Sequence, residues 1–448
     1  MDLRGKSVLV VGTKRSGIGA IQLLLKQGAR VRAMDAQPLL PVQQAKFDAM
    51  GVPVVLQTED NLGDAALVVL SPAVPYDLEM FLRARKRGVQ VIGEVELASW
   101  FLEGPVIGIT GSNGKTTTTA LTGHLLKECG IACQVGGNIG TAVTSLIESS
   151  RRDQWNVFEL SSFQLESIEQ FRAKIGACLN VTPDHLDRHH TFQEYASAKR
   201  RLFETQTAED LAVLNYDDPT CRAFAEYTDA TVYWFSSSQP VPNGLWLDGD
   251  QLRFADQPFM TRSAIRLRGV HNVENVMAAA LATHLTGAEL SAIAHAVTTF
   301  PGVEHRIEFV RDLDGVHYFN DSKATNVDAT LKAIAAFDGS IWIILGGKDK
   351  GASYQPLAKP LREKGKAALL IGAEPPYPYA AAPKIKSALQ NALPVFECRT
   401  LESAVQYARQ HASPGDVVLL APACASFDQF ESYEHRGSRF KQLVAELF

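Results

Sequence analysis

Short apolar runs that end in polar or glycine-rich loops alternate along the chain with helical patterns of leucine, isoleucine and alanine. The runs have the length and β-branched content of buried strands. They lie at residues 7–12, 67–70, 106–109, 155–158, 177–181, 341–345 and 417–420. Between 231 and 268 shorter alternating segments predict a small extra sheet, in the form of a meander. The alternation of buried strands with helices predicts an α/β fold whose parallel sheets are covered by helices.

Two turns that contain glycine or proline divide the chain. Gly93-Glu94 follows the first set of strands, and Pro301-Gly302 follows two alanine-rich helices. At 448 residues the chain has room for about three domains. We therefore predict a Rossmann-like N-terminal domain at 1–93, a central P-loop ATPase-like domain at 94–300 and a Rossmann-like C-terminal domain at 301–448.

The composition excludes several classes of partner. A net charge of −5 with 21% charged residues argues against a basic groove for nucleic acid and against a polybasic membrane patch. The chain enters its first strand without the apolar region of a signal peptide, and it contains no apolar run long enough to span a membrane. Its six cysteines include no C-x-x-C pair, so free thiols are expected rather than a zinc site. We expect a cytoplasmic protein without membrane insertion.

The first strand opens a dinucleotide-type βαβ unit in which Asp35 ends the second strand. The turn at 12–19 has Lys14 where the G-x-G-x-x-G pattern requires glycine, so close approach of this backbone to an NAD pyrophosphate is not expected. From this segment alone, a structural α/β turn and a phosphate or nucleotide-sugar site remain equally open.

The stretch at 110–117 has the form of a phosphate-binding loop. It reads Thr-Gly-Ser-Asn-Gly-Lys-Thr-Thr and lies between the strand at 106–109 and a helix, so its N–H groups face an anion at a helix N-terminus. Lys115 would neutralise phosphate charge, and Thr116 would hold Mg²⁺. The strict G-x-x-x-x-G-K-[ST] form is missed because Ile109 stands at its first position. An incidental glycine-rich turn is the alternative.

Polar side chains follow two further central strands. Glu159 ends the strand at 155–158, where it would lie near the phosphate loop and bind Mg²⁺; a helix-capping acid is the alternative. The histidine-rich loop after the strand at 177–181 offers His185 as its one functional candidate. Lys199 follows in a helical pattern, and its position alone predicts an ordinary lysine whose side chain is solvated.

The C-terminal third repeats the arrangement of strands that end in polar loops. Asp321, Lys323, Lys350 and Ser426 come from three such loops. Because the carboxyl ends of parallel strands meet at one edge of a sheet, we expect these side chains to share a cleft.

Seven motifs together resemble those of the Mur ligases of peptidoglycan synthesis. Within that family, they are most similar to the members that add D-glutamate. The resemblance covers nearly the whole chain in the right order. The motifs are Thr-Gly-Ser-Asn-Gly-Lys-Thr-Thr (110–117), Gly-Gly-Asn-Ile-Gly (136–140), Glu-Leu-Ser-Ser-Phe-Gln-Leu (159–165), Asn-Val-Thr-Pro-Asp-His-Leu-Asp-Arg (180–188), His-Arg (305–306), Asn-Asp-Ser-Lys-Ala-Thr-Asn (320–326) and Ser-Phe-Asp-Gln-Phe (426–430).

The resemblance implies an ATP-dependent amide-bond synthesis. The carboxylate of UDP-N-acetylmuramoyl-L-alanine attacks the γ-phosphate of ATP, and the amine of D-glutamate then displaces phosphate from the acyl phosphate. It implies a monomer with two Mg²⁺ sites and with Lys199 carried as a carbamate. The catalytic residues implied are Lys115, Glu159, His185 and Lys199, and the metal ligands are Thr116, Glu159, His185 and the carbamate on Lys199.

The resemblance also assigns each domain its ligand contacts. The N-terminal domain would bind the UDP-substrate, the central domain ATP and the C-terminal domain the amino acid. The implied ATP contacts are Gly111, Asn113, Gly114, Lys115, Thr116, Thr117, Asn272, Asn275, Arg306 and Asp321. Those to the UDP-substrate are Arg15, Ser16 and Gly17 near the pyrophosphate, Asp35 near uracil, and Ser71, Asn138 and His185. Those to D-glutamate are Lys323, Thr325, Lys350, Ser426, Phe427 and Tyr433.

Four other functions fit parts of the sequence. A nicotinamide dehydrogenase fits the start at 7–35 but not Lys14 or the loop at 110–117. A P-loop regulatory switch predicts an Asn-Lys-x-Asp after a strand, and the sequence has none. A folate polyglutamyl ligase shares the central loop but not a uridine-nucleotide domain. Another amino-acid-adding Mur-type ligase remains the alternative within the family.

Overall fold

The computed structural model describes residues 2–267, 269–374 and 377–448. Internal contacts divide the chain into two compact units, residues 1–300 and 301–448. The three domain ranges given above stay a prediction. No helix in the described part of the chain is long and apolar enough to cross a membrane.

The first sheet of unit 1–300 has five parallel strands in the order β3-β2-β1-β4-β5. Its strands are β1 (Ser7–Val11), β2 (Arg30–Asp35), β3 (Val54–Leu56), β4 (Leu67–Leu70) and β5 (Gln90–Gly93). Its helices are α1 (Arg15–Lys26), α2 (Pro41–Ala49), α3 (Glu79–Lys86) and α4 (Glu94–Ser99). The strand order reverses between β1 and β4, which is the edge where ligands collect in open α/β sheets. Gly12 and Ser71 follow these two strands and so lie at that point.

The second sheet of this unit has nine strands in the order β14-β13-β12-β11-β10-β9-β6-β8-β7. Its strands are β6 (Val106–Thr110), β7 (Cys133–Gly137), β8 (Trp155–Glu159), β9 (Ile175–Cys178), β10 (Leu211–Asn215), β11 (Thr231–Ser236), β12 (Gly244–Asp248), β13 (Gln251–Phe254) and β14 (Gln257–Thr261). Its helices are α5 (Lys115–Glu128), α6 (Ser162–Leu165), α7 (Leu186–His189), α8 (Phe192–Glu204), α9 (Pro219–Phe224), α10 (Val270–His284) and α11 (Leu290–Thr299). The parallel strands β6, β8 and β9 bring three predicted site loops to one edge.

The predicted small extra sheet is continuous with this central sheet. β11 pairs in parallel with β10, whose edge would otherwise leave backbone groups unpaired, and only β12 to β14 form an antiparallel meander. The segment Ile265-Arg266-Leu267, expected as its last strand, follows a short 3-10 turn and forms no strand. The strand predicted at 177–181 ends at Cys178. The N–H of Leu179 still donates to the Thr110 carbonyl of β6 at 3.1 Å, but that of Val181 donates to Asp218 Oδ2 at 2.8 Å.

Buried carboxylates join the two sheets of this unit where a domain boundary was predicted. Both carboxylate oxygens of Glu96, on α4, accept hydrogen bonds from the backbone N–H groups of residues 169–171. Glu94 Oε1 accepts from both the N–H and the hydroxyl of Thr144, each at 2.7 Å. Because both glutamates are almost completely buried, these bonds are shielded from water.

Unit 301–448 has one six-stranded sheet in the order β15-β16-β20-β17-β18-β19, and only β15 is antiparallel. Its strands are β15 (Glu308–Leu313), β16 (Val316–Asn320), β17 (Ile341–Gly346), β18 (Gly365–Ile371), β19 (Val395–Arg399) and β20 (Val417–Leu420). Its helices are α12 (Val327–Ala335), α13 (Ala358–Lys364), α14 (Ala382–Leu389), α15 (Leu401–His411) and α16 (Tyr433–Ala445). A hydrophobic core covers each face of the sheet. The neighbouring strands β16, β20 and β17 bring their polar loops to one edge.

Candidate active site

The phosphate loop packs against the start of α10. Gly114 has φ +86° at the N-cap of α5, and a Cβ there would lie 2.2 Å from Asn275 Oδ1, so this position requires glycine on both counts. The hydroxyl of Thr118 donates to the same oxygen at 3.3 Å, and Asn275 Nδ2 donates to Asn272 Oδ1 at 2.9 Å. The structure thus places both predicted asparagines beside the loop.

Two lysines meet on the loop's backbone. Lys115 Nζ donates to the carbonyls of Gly111 at 2.8 Å and Ser112 at 2.9 Å. Lys199 Nζ reaches the Gly111 carbonyl from α8, also at 2.8 Å. Lys199 is only 1% exposed, so the expectation of a solvated lysine from position alone is wrong. Burial, together with the positive charge of Lys115, lowers the pKa of Lys199 to about 7.

Glu159 ends β8, the strand next to β6, and in the described part of the chain only one of its two carboxylate oxygens accepts a hydrogen bond. Its Oε1 accepts from Asn138 Nδ2 at 2.8 Å, while its buried Oε2 has no hydrogen-bond partner among the described residues. The capping alternative fails, because Ser161 caps α6 with its own side chain. A buried carboxylate oxygen without a donor fits a hard divalent cation, which prefers such ligands.

The predicted loop histidine lies at the start of α7 and is half exposed. His185 has φ +51° and occupies the N-cap position, but its side chain caps no N–H of the helix; its ring centroid lies 4.9 Å from that of Phe163. In the described part of the chain, no group of three or more His, Cys, Asp or Glu side chains is close enough to hold a metal ion. A metal bound here would therefore also need oxygen ligands of other kinds, such as the Thr116 hydroxyl.

At the first sheet, predicted UDP-substrate residues gather around the turn at 12–17. A Cβ at Gly17 would lie 1.8 Å from the Gly12 carbonyl oxygen, so this close approach requires glycine. Ser71 Oγ donates to the same carbonyl at 3.3 Å. Arg15 Nη1 donates to the Gly140 carbonyl at 2.5 Å, which joins this turn to the glycine cluster of the central sheet. Ser16 lies between Arg15 and Gly17 on α1 and is partly exposed.

The predicted uracil residue is engaged with its own turn. Asp35 Oδ2 accepts from the N–H of Thr13 at 2.9 Å and from its hydroxyl at 2.5 Å. Partial burial alone would raise the pKa of Asp35, but these bonds and those from the next N–H groups lower it below its usual value. The carboxylate is therefore an anion that shapes the turn, and its contact with uracil stays a prediction.

In unit 301–448 the predicted residues occupy the carboxyl edge of the sheet. Lys350 Nζ lies 3.5 Å from Thr325 Oγ1, and Lys323 Nζ lies 5.9 Å from the centre of the Tyr433 ring. Ser426 is buried, whereas the ring of Phe427 on the same loop is 67% exposed. The edge thus combines cations, hydroxyls and an exposed ring.

The two predicted ATP contacts of this unit are Arg306 and Asp321. Burial raises the pKa of Asp321 to about 7, against the opposing charge of Arg306. Their contacts with ATP stay predictions.

Two residues near the site were missed from the sequence. The hydroxyl of Tyr195 lies 2.9 Å from Ser112 Oγ, and its ring lies 4.5 Å from Lys199 Nζ. Tyr195 and Lys199 are four residues apart on α8, a spacing that puts both side chains on one face of the helix. Arg188 bonds both Glu166 and the Val74 carbonyl, a pairing of distant segments that no local pattern indicates.

Comparisons with family models cover the chain in three segments. The model described as "Mur ligase MurD-like, N-terminal domain" matches residues 6–93. That described as "Mur ligase middle domain" matches residues 109–283. That described as "Mur ligase, glutamate ligase domain" matches residues 305–424.

Similar curated proteins match end to end. The UDP-N-acetylmuramoylalanine--D-glutamate ligase of Solibacter usitatus (strain Ellin6076) is 56% identical over 449 residues, which cover 100% of this chain and 99% of the relative. The protein of the same name from Koribacter versatilis (strain Ellin345) is 47% identical over 455 residues, with the same coverage.

Solved structures agree at the level of the fold. The UDP-N-acetylmuramate-alanine ligase MurC of Thermotoga maritima has a TM-score of 0.61 at 18% identity, covering 98% of this chain and 99% of that one. The MurF ligase of the same organism, in complex with ADP, has a TM-score of 0.59 at 17% identity, covering 99% and 96%. The three-domain α/β fold class predicted from the sequence is confirmed.

Proposed function

The chain belongs to the Mur ligase family of ATP-dependent, amide-bond-forming ligases, and on that basis we propose that it adds D-glutamate to UDP-N-acetylmuramoyl-L-alanine. The full-length match at 56% identity to a ligase of that name is the observation that carries the proposal. The product would serve peptidoglycan synthesis in the cytoplasm, and hence cell-wall growth, cell shape and division. The chain would act as a monomer.

In the first step the substrate carboxylate attacks the γ-phosphorus of ATP. A carboxyl O–P bond forms, the bond between the β- and γ-phosphates breaks, and ADP leaves. Such transfers depend mainly on positioning and on neutralising charge. The N–H groups at the start of α5 and the ammonium of Lys115 are the groups of this chain that supply both.

Two Mg²⁺ ions bound at the central sheet would supply charge neutralisation and orient the phosphates. Thr116 and Glu159 would hold one, and His185 and a carbamate on Lys199 the other. The bare, buried Oε2 of Glu159 supports this, because a carboxylate oxygen without a donor is costly unless a cation satisfies it. Asn138 fixes the other oxygen and so aims the carboxylate.

The environment of Lys199 supports its modification. With a pKa of about 7, its amine is half neutral at neutral pH and is available to react with CO₂. The ammonium first loses a proton to give the neutral amine, whose nitrogen then bonds to the carbon of CO₂ and loses a second proton. The cation thereby becomes an anionic carbamate. That change would also remove the repulsion between Lys199 and Lys115, which the structure brings to the same carbonyl.

In the second step the neutral amine of D-glutamate attacks the carbonyl carbon of the acyl phosphate. An amide C–N bond forms, the amine proton is lost, and inorganic phosphate leaves. Lys323 and Lys350 would bind carboxylates of the amino acid, with the Thr325 hydroxyl close to Lys350. Two cationic side chains at one edge favour a dicarboxylic amino acid over a neutral one.

Phosphate release in the presence of ATP, Mg²⁺ and UDP-N-acetylmuramoyl-L-alanine tests the proposal against a panel of amino acids. D-Glutamate should drive release, while L-alanine, L-glutamate and diaminopimelate should not. Equal release with L-alanine or diaminopimelate would reassign the chain to another amino-acid-adding Mur-type ligase. Phosphate release that required a nucleotide other than ATP would overturn the assignment of the chain to the ATP-dependent ligases.

A further inference from the structure

The last helix of the chain carries a cation that is almost wholly buried. Arg436, on α16, is only 1% exposed and is among the largest fully buried side chains of the described residues. The hydrogen bonds of its guanidinium go to uncharged oxygens, those of Ser322 and Cys424. Arginine is rarely buried without a carboxylate partner, so its place here needs a reason beyond packing.

The guanidinium ties together two loops that come from different strands. Its Nε and Nη2 donate to Ser322 Oγ at 3.0 Å and to the Ser322 carbonyl at 2.9 Å, in the loop after β16. Its Nη1 and Nη2 both donate to the Cys424 carbonyl at 3.3 Å, in the loop after β20. The planar fork of arginine spreads these four bonds over three nitrogens in a fixed geometry, which the single nitrogen of a lysine ammonium does not reproduce.

The atoms that Arg436 holds are neighbours of the proposed amino-acid contacts. Ser322 directly precedes Lys323, and Cys424 lies two residues before Ser426. The hydroxyl of Ser322 also donates to the carbonyl of Tyr433 at 2.8 Å, which ties in the first residue of α16. A shift of either loop relative to the other would therefore move contacts to the same small substrate.

We propose that Arg436 is a positioning residue for the amino-acid substrate. It holds the loops 320–326 and 421–427 in register, and its buried positive charge adds to the attraction for a dicarboxylic amino acid. The inference rests on the proposed function and deepens it. It assigns part of the selectivity for acidic amino acids to a side chain that does not touch the substrate.

The charge persists under working conditions. Burial lowers the pKa of Arg436 to about 10, and the carboxylate of Asp428 opposes that shift, so the guanidinium stays protonated near neutral pH. In an interior of low dielectric a charge acts over a longer distance than in water. An anionic substrate at the edge of the sheet therefore benefits without direct contact.

Steady-state kinetics of the full-length enzyme test the proposal with matched variants. Arg436→Lys keeps the charge and loses the fork, Arg436→Gln loses both, and Ser322→Ala removes one acceptor. Arg439→Gln is the control, because Arg439 lies one turn further along α16 with a partly exposed side chain near Glu402.

The KM for D-glutamate should rise by about tenfold in Arg436→Lys, more in Arg436→Gln and less in Ser322→Ala. The KM for UDP-N-acetylmuramoyl-L-alanine should stay within about twofold of the wild-type value in all of them, because a substrate bound by unit 1–300 does not use these loops. Arg439→Gln should match the wild type in both values.

An unchanged KM for D-glutamate in Arg436→Lys and Ser322→Ala would overturn the proposal. So would a parallel rise in both KM values, which marks a general loss of structure. If the Arg436 variants do not fold, Ser322→Ala decides the matter. A wild-type enzyme that ignores D-glutamate would instead refute the proposed function, and so the two failures are distinguishable.

Discussion

The lowered pKa of Lys199 predicts that this one lysine captures CO₂ at neutral pH. The perturbation is the addition of ¹³C-bicarbonate to the protein without nucleotide or substrate, at pH 7. Only a neutral amine forms a carbamate, so capture follows the fraction of each lysine that is unprotonated.

The magnitude follows from burial and from the charge of Lys115. With a pKa of about 7, half of Lys199 is neutral at pH 7. A lysine with the unperturbed pKa is neutral in only about one molecule in 2,500 at that pH. The buried amine should therefore be favoured by roughly a thousandfold over a solvated one. A terminal α-amino group, with a pKa near 8, is the other site expected to react.

Carbon NMR measures the outcome directly, without catalysis. We expect one carbamate signal that disappears in Lys199→Met and persists in Lys46→Met, a change at an exposed lysine of α2. A second signal from a terminal amine would persist in both variants and calibrate the intensity. A Lys199→Met spectrum identical to that of the wild type would refute the reasoning.

Three further changes have defined outcomes. Lys115→Ala should abolish phosphate release yet leave binding of the UDP-substrate by calorimetry within about twofold, and a collapse of that binding would contradict the separation of the two sites. Glu159→Gln should raise the Mg²⁺ concentration for half-maximal activity at least about tenfold without lowering Tm, since the bare buried oxygen loses its charge; an unchanged Mg²⁺ dependence would remove Glu159 from the metal site. Glu96→Ala leaves the N–H groups of residues 169–171 without acceptors and should cost about 3 kcal/mol in urea unfolding; a loss under about 1 kcal/mol would show that water replaces the carboxylate.

The loops of the candidate site were predictable, because a buried strand and the polar residues that follow it are local signals. β6 and β8 pair in parallel with Ile109 opposite Glu159, so the phosphate loop and the acid leave the sheet side by side. Because both runs were predicted as buried strands of a parallel sheet, their carboxyl ends were expected at the same edge. The structure adds that the two strands are neighbours.

The state of individual side chains was harder to predict. Lys199 lies on the same face of α8 as the buried Tyr195 and Leu202, and this spacing was visible in the sequence. A lysine on an apolar face nevertheless suggested a long side chain that reaches water. Only the packing of α8 on the central sheet shows that the ammonium is enclosed.

Partners far apart in sequence escaped prediction altogether. Arg436 bonds Ser322, which lies 114 residues away, and Asn138 fixes Glu159, 21 residues further on. The pairing of Arg436 with Ser322 belongs to no repeat, helix period or strand register. Asn138 follows Gly137, which lies opposite Glu159 in the register of β7 and β8, but no strand was predicted at 133–137. The central sheet was likewise longer than predicted, because the free edge of β10 accepts β11 as a further strand.

Transfer of an oxygen isotope tests the central claim, attack of the substrate carboxylate on the γ-phosphate of ATP. UDP-N-acetylmuramoyl-L-alanine with ¹⁸O in both carboxyl oxygens is turned over with ATP and D-glutamate, and the released phosphate is analysed by mass spectrometry. The account predicts one ¹⁸O atom in each phosphate, because the bridging oxygen of the acyl phosphate leaves with phosphorus when the amine attacks carbon. Phosphate without ¹⁸O, released together with the amide product, would contradict it.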